Sequence, residues 1–350
     1  MKKRKVLFIS KYYKPHIGGV EKHVEKISQE LIKKDYEITV LTENHTAVFE
    51  NSKISSKRIV NLKNQETIDD VKVIRIAYPK IKFFGLFKIW SQLFKQIDLF
   101  KNADIIHIHD VFIWYLPLKF ILPKKKVFTS FHGWEGQYPI PLKNILYKKL
   151  AAKLSKKNIC VGKYIEKYYG IKADRITYGA VSIPKVKSDL KSKVRNSIVY
   201  VGRLETDTGL KVFLKALENL PGYNVDFCGN GPLADECAKY GKVHGFCDPQ
   251  PYLIKAQFCF AGGYLTALEA MANQCVVLTA YDNLLSQNYW QLVPFKDFII
   301  LADSGNSLSQ EILAISQEPK KLEQITTNAF KWVKQQNWND LAQIYTQLWL

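Results

Sequence analysis

The sequence predicts an α/β protein built from two doubly wound parallel-sheet domains. Two observations predict it. Apolar runs of strand length alternate with helical periodicity along the whole chain. Near-continuous apolar strands separated by helices are the pattern of a parallel sheet covered on both faces. The series also restarts after about residue 185, and the charged stretch Lys185–Arg195 (KVKSDLKSKVR) reads as a linker. The expected division is residues 1–184 and 185–337, with the amphipathic segment Trp338–Leu350 crossing back onto the first domain. A chain of 350 residues suffices for two cores at roughly 100–200 residues each.

In the first series Val6–Ser10 reads as a buried strand. Val20, Val24, Ile27 and Leu31 form the apolar face of the helix that follows. Glu37–Thr42, Val71–Ile76, Asp104–His109, Lys126–His132 and Asn158–Gly162 read as further strands. The polar stretch Glu43–Asp70 has no period and reads as an irregular excursion. In the second series the strands are Ser197–Gly202, Asn224–Gly229, Lys242–Phe246, Gln257–Ala261, Val276–Ala280 and Phe298–Ala302. Helical patterns fall near 208–219, 233–240, 264–273, 306–317 and 320–335.

Composition removes several classes. At 47% hydrophobic and 13% aromatic residues the chain is not disordered. No window approaches the ~18 apolar residues of a membrane span; Phe112–Leu122 is broken by Pro117 and Lys119. The apolar stretch of the opening MKKRKVLFIS, Val6–Ile9, is too short for a secretory signal. The six cysteines form no CxxC pair and read as reduced thiols of a cytoplasmic protein. The net charge of +19 is one-sided: residues 1–180 hold 35 Lys+Arg against 16 Asp+Glu, and residues 181–350 hold 16 of each. The aromatics follow core periodicity and no nucleic-acid-binding motif appears, so no nucleic acid is expected as partner. The excess suits an anionic membrane surface or a phosphorylated lipid carrier beside the first domain, and thus a peripheral place on the inner membrane face.

Open parallel sheets bind ligands at the carboxyl ends of their strands, so residues just after strands are the candidates. Gly18-Gly19-Val20-Glu21 follows the first strand and opens a helix. It reads as a phosphate or sugar site, or as a plain tight turn. Gly262-Gly263-Tyr264-Leu265-Thr266 repeats that arrangement. Glu269 follows on an otherwise apolar helix surface, where a carboxylate needs a partner such as a ribose diol. Arg203 in Gly202-Arg203-Leu204 suits bidentate phosphate binding or a surface salt bridge. His132, after the strand VFTSF, can donate to a sugar or phosphate oxygen, or be a satisfied core histidine. His107 and His109 share a strand face next to Asp110, but no third and fourth ligand stand at matching positions, so no metal is expected. In Lys80–Lys101, Phe83, Leu86, Phe87, Trp90, Phe94 and Ile97 recur at helical spacing, flanked by Lys82, Lys88 and Lys95. That segment reads as an interfacial membrane helix or as an ordinary helix covering the sheet.

These motifs in this order, together with Gly229-Asn230-Gly231-Pro232 and the Leu-Glu-Ala-Met-Ala helix, resemble the retaining GT-B glycosyltransferases of the family 4 group. The resemblance implies two Rossmann-like domains facing a central cleft. It implies transfer of a sugar, with retention, from a nucleotide-diphosphate sugar to a glycan or lipid-linked acceptor, without bound metal. Gly18 and Gly19 match the glycine loop beside the diphosphate, and Arg203 the phosphate-binding arginine. Glu269 matches the glutamate that holds the nucleotide ribose, and His132 the histidine near the donor sugar. Gly229, Gly263, Tyr264, Leu265 and Thr266 fall in the donor-binding loops, and Glu21 on the acceptor side. Two positions depart from the pattern. Thr208 stands where the family has a lysine before glycine, leaving Lys211 as the nearest cation. Ala261 stands where the family has a glutamate near the donor sugar; restoring a glutamate there is expected to be structurally tolerated. The alternative is a degenerate GT-B protein that binds nucleotide, glycan or a partner without turnover.

Overall fold

The computed structural model describes residues 3–44, 46–49, 57–60, 62–77, 84–184 and 192–350. Lys82, Phe83 and residues 185–191 of the expected linker lie outside these. The chain divides into two compact units. One comprises Met1–Val48, Lys57–Thr177 and Trp338–Leu350, the other Phe49–Ser56 and Tyr178–Asn337. Tyr178–Pro184 thus fall in the second unit.

The first unit runs β1 (Arg4–Ser10), α1 (Gly19–Ile32), β2 (Tyr36–Glu43), β3 (Thr46–Phe49), β4 (Lys57–Val60), β5 (Gln65–Ile68), β6 (Val71–Ile76), α2 (Gly85–Lys95), α3 (Ile97–Asn102), β7 (Ile105–His109), α4 (Phe112–Ile121), β8 (Val127–Phe131), α5 (Leu142–Leu154), β9 (Lys157–Val161), α6 (Tyr164–Tyr169) and β10 (Arg175–Thr177). Its main sheet has the order β10-β9-β8-β7-β1-β2-β6-β5. β5 pairs antiparallel with β6, and the neighbours from β10 to β6 pair in parallel. β7 and β8 are buried at every residue, the polar His107, His109, Thr129 and Ser130 included, as in strands of a parallel sheet covered on both faces. α1 buries Val24, Ile27 and Leu31, the face its periodicity predicts. The excursion after β2 is not all irregular: β3 and β4 pair separately, and β5 adds an edge. Strands of four residues with polar faces carry too little pattern to be read from sequence. The same holds for β10, with three residues.

In α2 the buried residues are Gly85, Ile89 and Leu93, while Phe87 and Phe94 are exposed. The aromatic stripe of the sequence is therefore not the seam of this helix, which packs on α4.

The second unit runs β11 (Val194–Val201), α7 (Leu210–Leu217), β12 (Asn224–Cys228), α8 (Ala234–Cys237), β13 (Lys242–Gly245), α9 (Gln250–Lys255), β14 (Ala256–Ala261), α10 (Tyr264–Ala272), β15 (Val276–Ala280), α11 (Leu284–Gln291), β16 (Ile299–Ala302), α12 (Gly305–Gln317) and α13 (Pro319–Val333). The sheet order is β13-β12-β11-β14-β15-β16, with every pairing parallel. Val194 and Arg195, read as the end of a linker, open β11. Stacked rings fill the core, with Phe213 and Phe260 centred 4.6 Å apart and Tyr200 5.6 Å from Phe260.

A last helix, α14 (Trp338–Leu348), belongs to the first unit. It packs on α1 and buries Trp338, Leu341, Ala342, Tyr345 and Leu348.

Candidate functional site

Each sheet has one topological switch point, where the direction of strand addition reverses. In the first unit it lies between β1 and β7, in the second between β11 and β14. Ligands of open α/β sheets bind beyond the carboxyl ends of the strands at such points. Gly18 and Gly19 follow β1, Arg203 follows β11 and Gly263 follows β14, at these points; His132 follows β8, and Lys88, Trp90 and Lys95 lie on α2, away from them.

In the first unit, β7 ends at His109 and Asp110 turns with φ 61. Aspartate tolerates this left-handed conformation better than most side chains. The turn aims the Asp110 carboxylate at the backbone N–H of His132, which donates to its two oxygens at 3.1 and 3.2 Å. Burial pushes the Asp110 carboxyl up, and Lys148 opposes this. Lys148 comes from α5, its side chain only 9% exposed. It lies 3.9 Å from Asp110 and 3.4 Å from Glu135, and donates to the Gly133 carbonyl. Its ammonium also stands 4.3 Å over the Tyr169 ring, and Tyr169 donates to Glu135 at 2.7 Å. One buried cation thus pins the whole loop from His132 to Glu135, each neighbour offsetting part of its desolvation. Sequence reasoning missed Asp110 as an anchor and missed Lys148. Asp110 directly follows a strand end and could have been found. Lys148 is one of several lysines on a basic helix, and only the fold sets it apart.

His132 shares a hydrogen bond with His109, Nε2 to Nδ1, at 2.8 Å. Burial and Lys148 lower its pKa to about 3, so it serves as a neutral hydrogen-bonding group. His107 is saturated, by Trp349 Nε1 at 3.0 Å and Ser130 Oγ at 2.8 Å, and has no nitrogen left for a metal. Among the described residues no group of three or more His, Cys, Asp or Glu side chains could hold one.

The glycine loop caps α1. Gly18 is extended (φ −174), a conformation any residue adopts. A Cβ on Gly18 would meet the carboxylate oxygen of Glu21, which would have to swing aside. Glu21 is 8% exposed and lies 3.3 Å from His16 Nδ1. It folds over its own loop rather than facing outward. A hollow of about 130 Å³ opens beside Asp110 and Lys148. Phe112, Leu116, Phe131 and Leu150 form its apolar wall.

In the second unit the loops after β11, β12 and β14 meet backbone to backbone. A Cβ on Gly229 would lie 1.8 Å from the Gly202 carbonyl oxygen, and one on Gly231 2.4 Å from that of Leu204. Gly202 (φ +156) and Gly262 approach so closely that a Cβ on either comes within 3.2 Å of the other's Cα. The glycines let three strand ends converge and bring their amide groups to one place. Arg203 projects from this junction with its side chain 55% exposed. It is not idle: Glu205 and Asp207 pair with it, Asp207 at 2.7 Å. Of the two sequence readings of Arg203, the salt bridge is the one observed.

Thr208 is buried in the turn before α7. Its hydroxyl donates to the Glu205 carbonyl at 2.7 Å and lies 2.9 Å from Tyr200 Oη. It holds the Arg203 loop from within and cannot stand in for a phosphate-binding cation. Lys211 is exposed in the first turn of α7 and makes no ion pair among the described residues. Gly263 caps α10 in extended conformation. The first N–H of α10, that of Tyr264, donates to Tyr289 Oη at 3.2 Å, and the two rings stack 4.0 Å apart. A tyrosine hydroxyl thus meets the helix N-terminus where an anion was expected; nothing in the sequence marks Tyr289 for this. Leu265 packs against Gly179. Thr266 and Glu269 are half-buried on α10. Ala261 is fully buried in β14. This corrects the expectation that a glutamate fits there without structural cost, since its carboxylate would be desolvated.

The family model Glycosyltransferase Family 4 matches residues 17–178, from the glycine loop to the end of β10. An uncharacterized glycosyltransferase of Methanocaldococcus jannaschii is 26% identical over a match covering 63% of this chain and 61% of that protein. The match therefore spans less than two thirds of the curated relative. Sucrose-phosphate synthase from Thermosynechococcus elongatus superposes with TM-score 0.73 at 17% identity, covering 99% of this chain and 98% of that one. The Anabaena protein HepE, solved in complex with UDP and glucose, gives 0.71 at 14% identity and 98% coverage of both chains. These likenesses show the fold, which is GT-B.

Proposed function

We propose that the protein is a glycosyltransferase that takes a sugar from a nucleotide-diphosphate donor and passes it, with retention and without a metal, to a glycan or lipid-linked acceptor. Cell-surface polysaccharide, glycolipid or glycoprotein glycan synthesis is the setting. The observation that carries this is the glycine-lined junction at the second sheet's switch point, with Arg203 at its mouth, Glu269 on α10 and, of the α10 N-terminus, the N–H groups beyond that of Tyr264, which Tyr289 holds. Backbone amides, a guanidinium and a helix N-terminus are the groups that stabilise a diphosphate leaving group. Glu269 accepts the ribose hydroxyls. That HepE was solved with UDP and glucose supports a nucleotide sugar as donor. Glu269→Ala is expected to weaken nucleoside diphosphate binding about tenfold, as removal of a charged hydrogen-bonding group does, with the fold unchanged. Calorimetric titration checks this, and unchanged affinity removes the ribose role.

The acceptor side lies on the first unit. Its hollow joins an apolar wall to Asp110 and Lys148, which suits an amphiphilic acceptor. Phe84 and Phe87 are 64% and 61% exposed, and Lys88 and Lys95 on the same helix are exposed. These groups support contact with an anionic membrane surface from the cytoplasmic side. Trp90 is not among them, since its indole N–H donates to Ile113 O at 2.9 Å and ties α2 to α4. Among the described residues no helix is long and apolar enough to cross a membrane. Vesicles with anionic lipid are expected to sediment the protein at low salt and release it at high salt. Failure to sediment at any salt contradicts the membrane contact.

A second reading, binding without turnover, is favoured by Thr208 and Ala261. Both are buried where the family resemblance calls for charged side chains.

A further inference from the structure

Trp349 sets the direction of the hydrogen bonds in the first unit's histidine cluster. An indole N–H only donates, and Trp349 Nε1 lies 3.0 Å from His107 Nδ1. His107 therefore carries its proton on Nε2 and donates to Ser130 Oγ at 2.8 Å. Ser130 donates its hydroxyl hydrogen bond to Tyr345 Oη, 3.0 Å away. Tyr345 in turn donates to His23 Nε2 at 2.8 Å. His109 and His132 stand outside this chain and pair with each other, His109 Nδ1 to His132 Nε2, at 2.8 Å.

Burial holds both rings of that pair neutral, so each carries one proton. If His132 were the donor, the His109 proton would sit on Nε2. That atom is sealed from solvent and has no hydrogen-bond partner among the described residues. A buried N–H without an acceptor is rare in folded proteins. If His109 donates from Nδ1, its Nε2 keeps only a lone pair, and the His132 proton moves to Nδ1. The His132 ring is half-buried, and its Nδ1 has no hydrogen-bond partner among the described residues.

We propose that His109 is a positioning residue that fixes His132 as the Nδ1–H tautomer, so that His132 offers a hydrogen-bond donor, not a base, to an oxygen of the bound substrate. The use of that donor in sugar transfer rests on the proposed function; the tautomer does not. The partner nitrogen of an imidazole sets the character of the free one in just this way.

Long-range proton–nitrogen correlation spectra of the full chain, labelled at histidine nitrogen, read the tautomers directly. The expected result is a protonated Nδ1 and a bare Nε2 on both His109 and His132. A protonated Nε2 on His132 overturns the proposal, and this wild-type spectrum needs no variant to fold. His109→Asn keeps an N–H near the position of Nδ1 and leaves the His132 signals unchanged. His109→Asp offers only an acceptor and moves the His132 proton to Nε2. An unmoved proton in the folded aspartate variant overturns the role of His109. In turnover, His109→Asp lowers kcat about 100-fold with the donor KM little changed, and His109→Asn retains kcat. Equal kcat in the two folded variants overturns the positioning role. The expected spectra without turnover in the wild type support the tautomer and count against the transferase reading alone.

Discussion

Trp349→Ala is expected to destabilise the first unit by about 3–5 kcal/mol, the usual cost of emptying a buried tryptophan site. The side chain is fully buried. It packs against Phe8, Tyr36 and Tyr345 at ring separations of 6.3, 5.7 and 5.9 Å. Its N–H anchors the chain of bonds through His107, Ser130 and Tyr345 to His23. The substitution removes both the packing and the one group in that chain that can only donate. Trp349→Phe keeps most of the ring and loses the N–H, and is expected to cost about 1–3 kcal/mol, the penalty of an unpaired buried polar atom. Denaturant unfolding followed at the first unit checks both. A loss below about 1 kcal/mol for the alanine variant, within the range of ordinary surface changes, contradicts the account.

Gly229→Ala is expected to disrupt the donor end of the second unit. Its backbone dihedrals do not require glycine; the space does. The added methyl would stand 1.8 Å from the Gly202 carbonyl oxygen and 3.0 Å from its carbon. Main chain cannot swing aside as a flexible side chain can, so the Gly202–Arg203 loop must move. Overpacking of this kind costs about 1–3 kcal/mol, and displacement of Arg203 is expected to lower donor turnover about 100-fold. Gly263→Ala is the contrast. There the nearest atom to a new Cβ is Tyr289 Oη at 3.5 Å, ordinary contact, and the melting temperature is expected to be unchanged. Equal stability of the two variants contradicts the claim of backbone convergence.

Much of this is legible in the sequence because long parallel-sheet strands announce themselves. β1, β14 and β15 are mostly apolar runs, β7 and β8 are apolar runs interrupted by buried His107, His109, Thr129 and Ser130, and the glycines that follow β1, β11 and β14 mark the switch points. The edges are not legible: β5 and β10 are too short or too polar to differ from loop. The aromatic stripe of α2 misleads, since Ile89 and Leu93 make the seam and Phe84 and Phe87 stay exposed. Candidate residues on strand ends are readable from position alone, as with His132 and Arg203. Their supports are not. Lys148, Tyr289, Tyr345 and Trp349 act through contacts distant in sequence, and no local pattern encodes which of many lysines or tyrosines the fold turns inward.

The most direct test is donor turnover by the purified protein with a panel of nucleotide-diphosphate sugars. The account predicts release of nucleoside diphosphate from at least one of them, faster when an amphiphilic acceptor is added and lost in Arg203→Ala. Tight nucleotide binding with no release from any sugar, with or without acceptor, contradicts the transferase reading and leaves a binding protein on a GT-B fold.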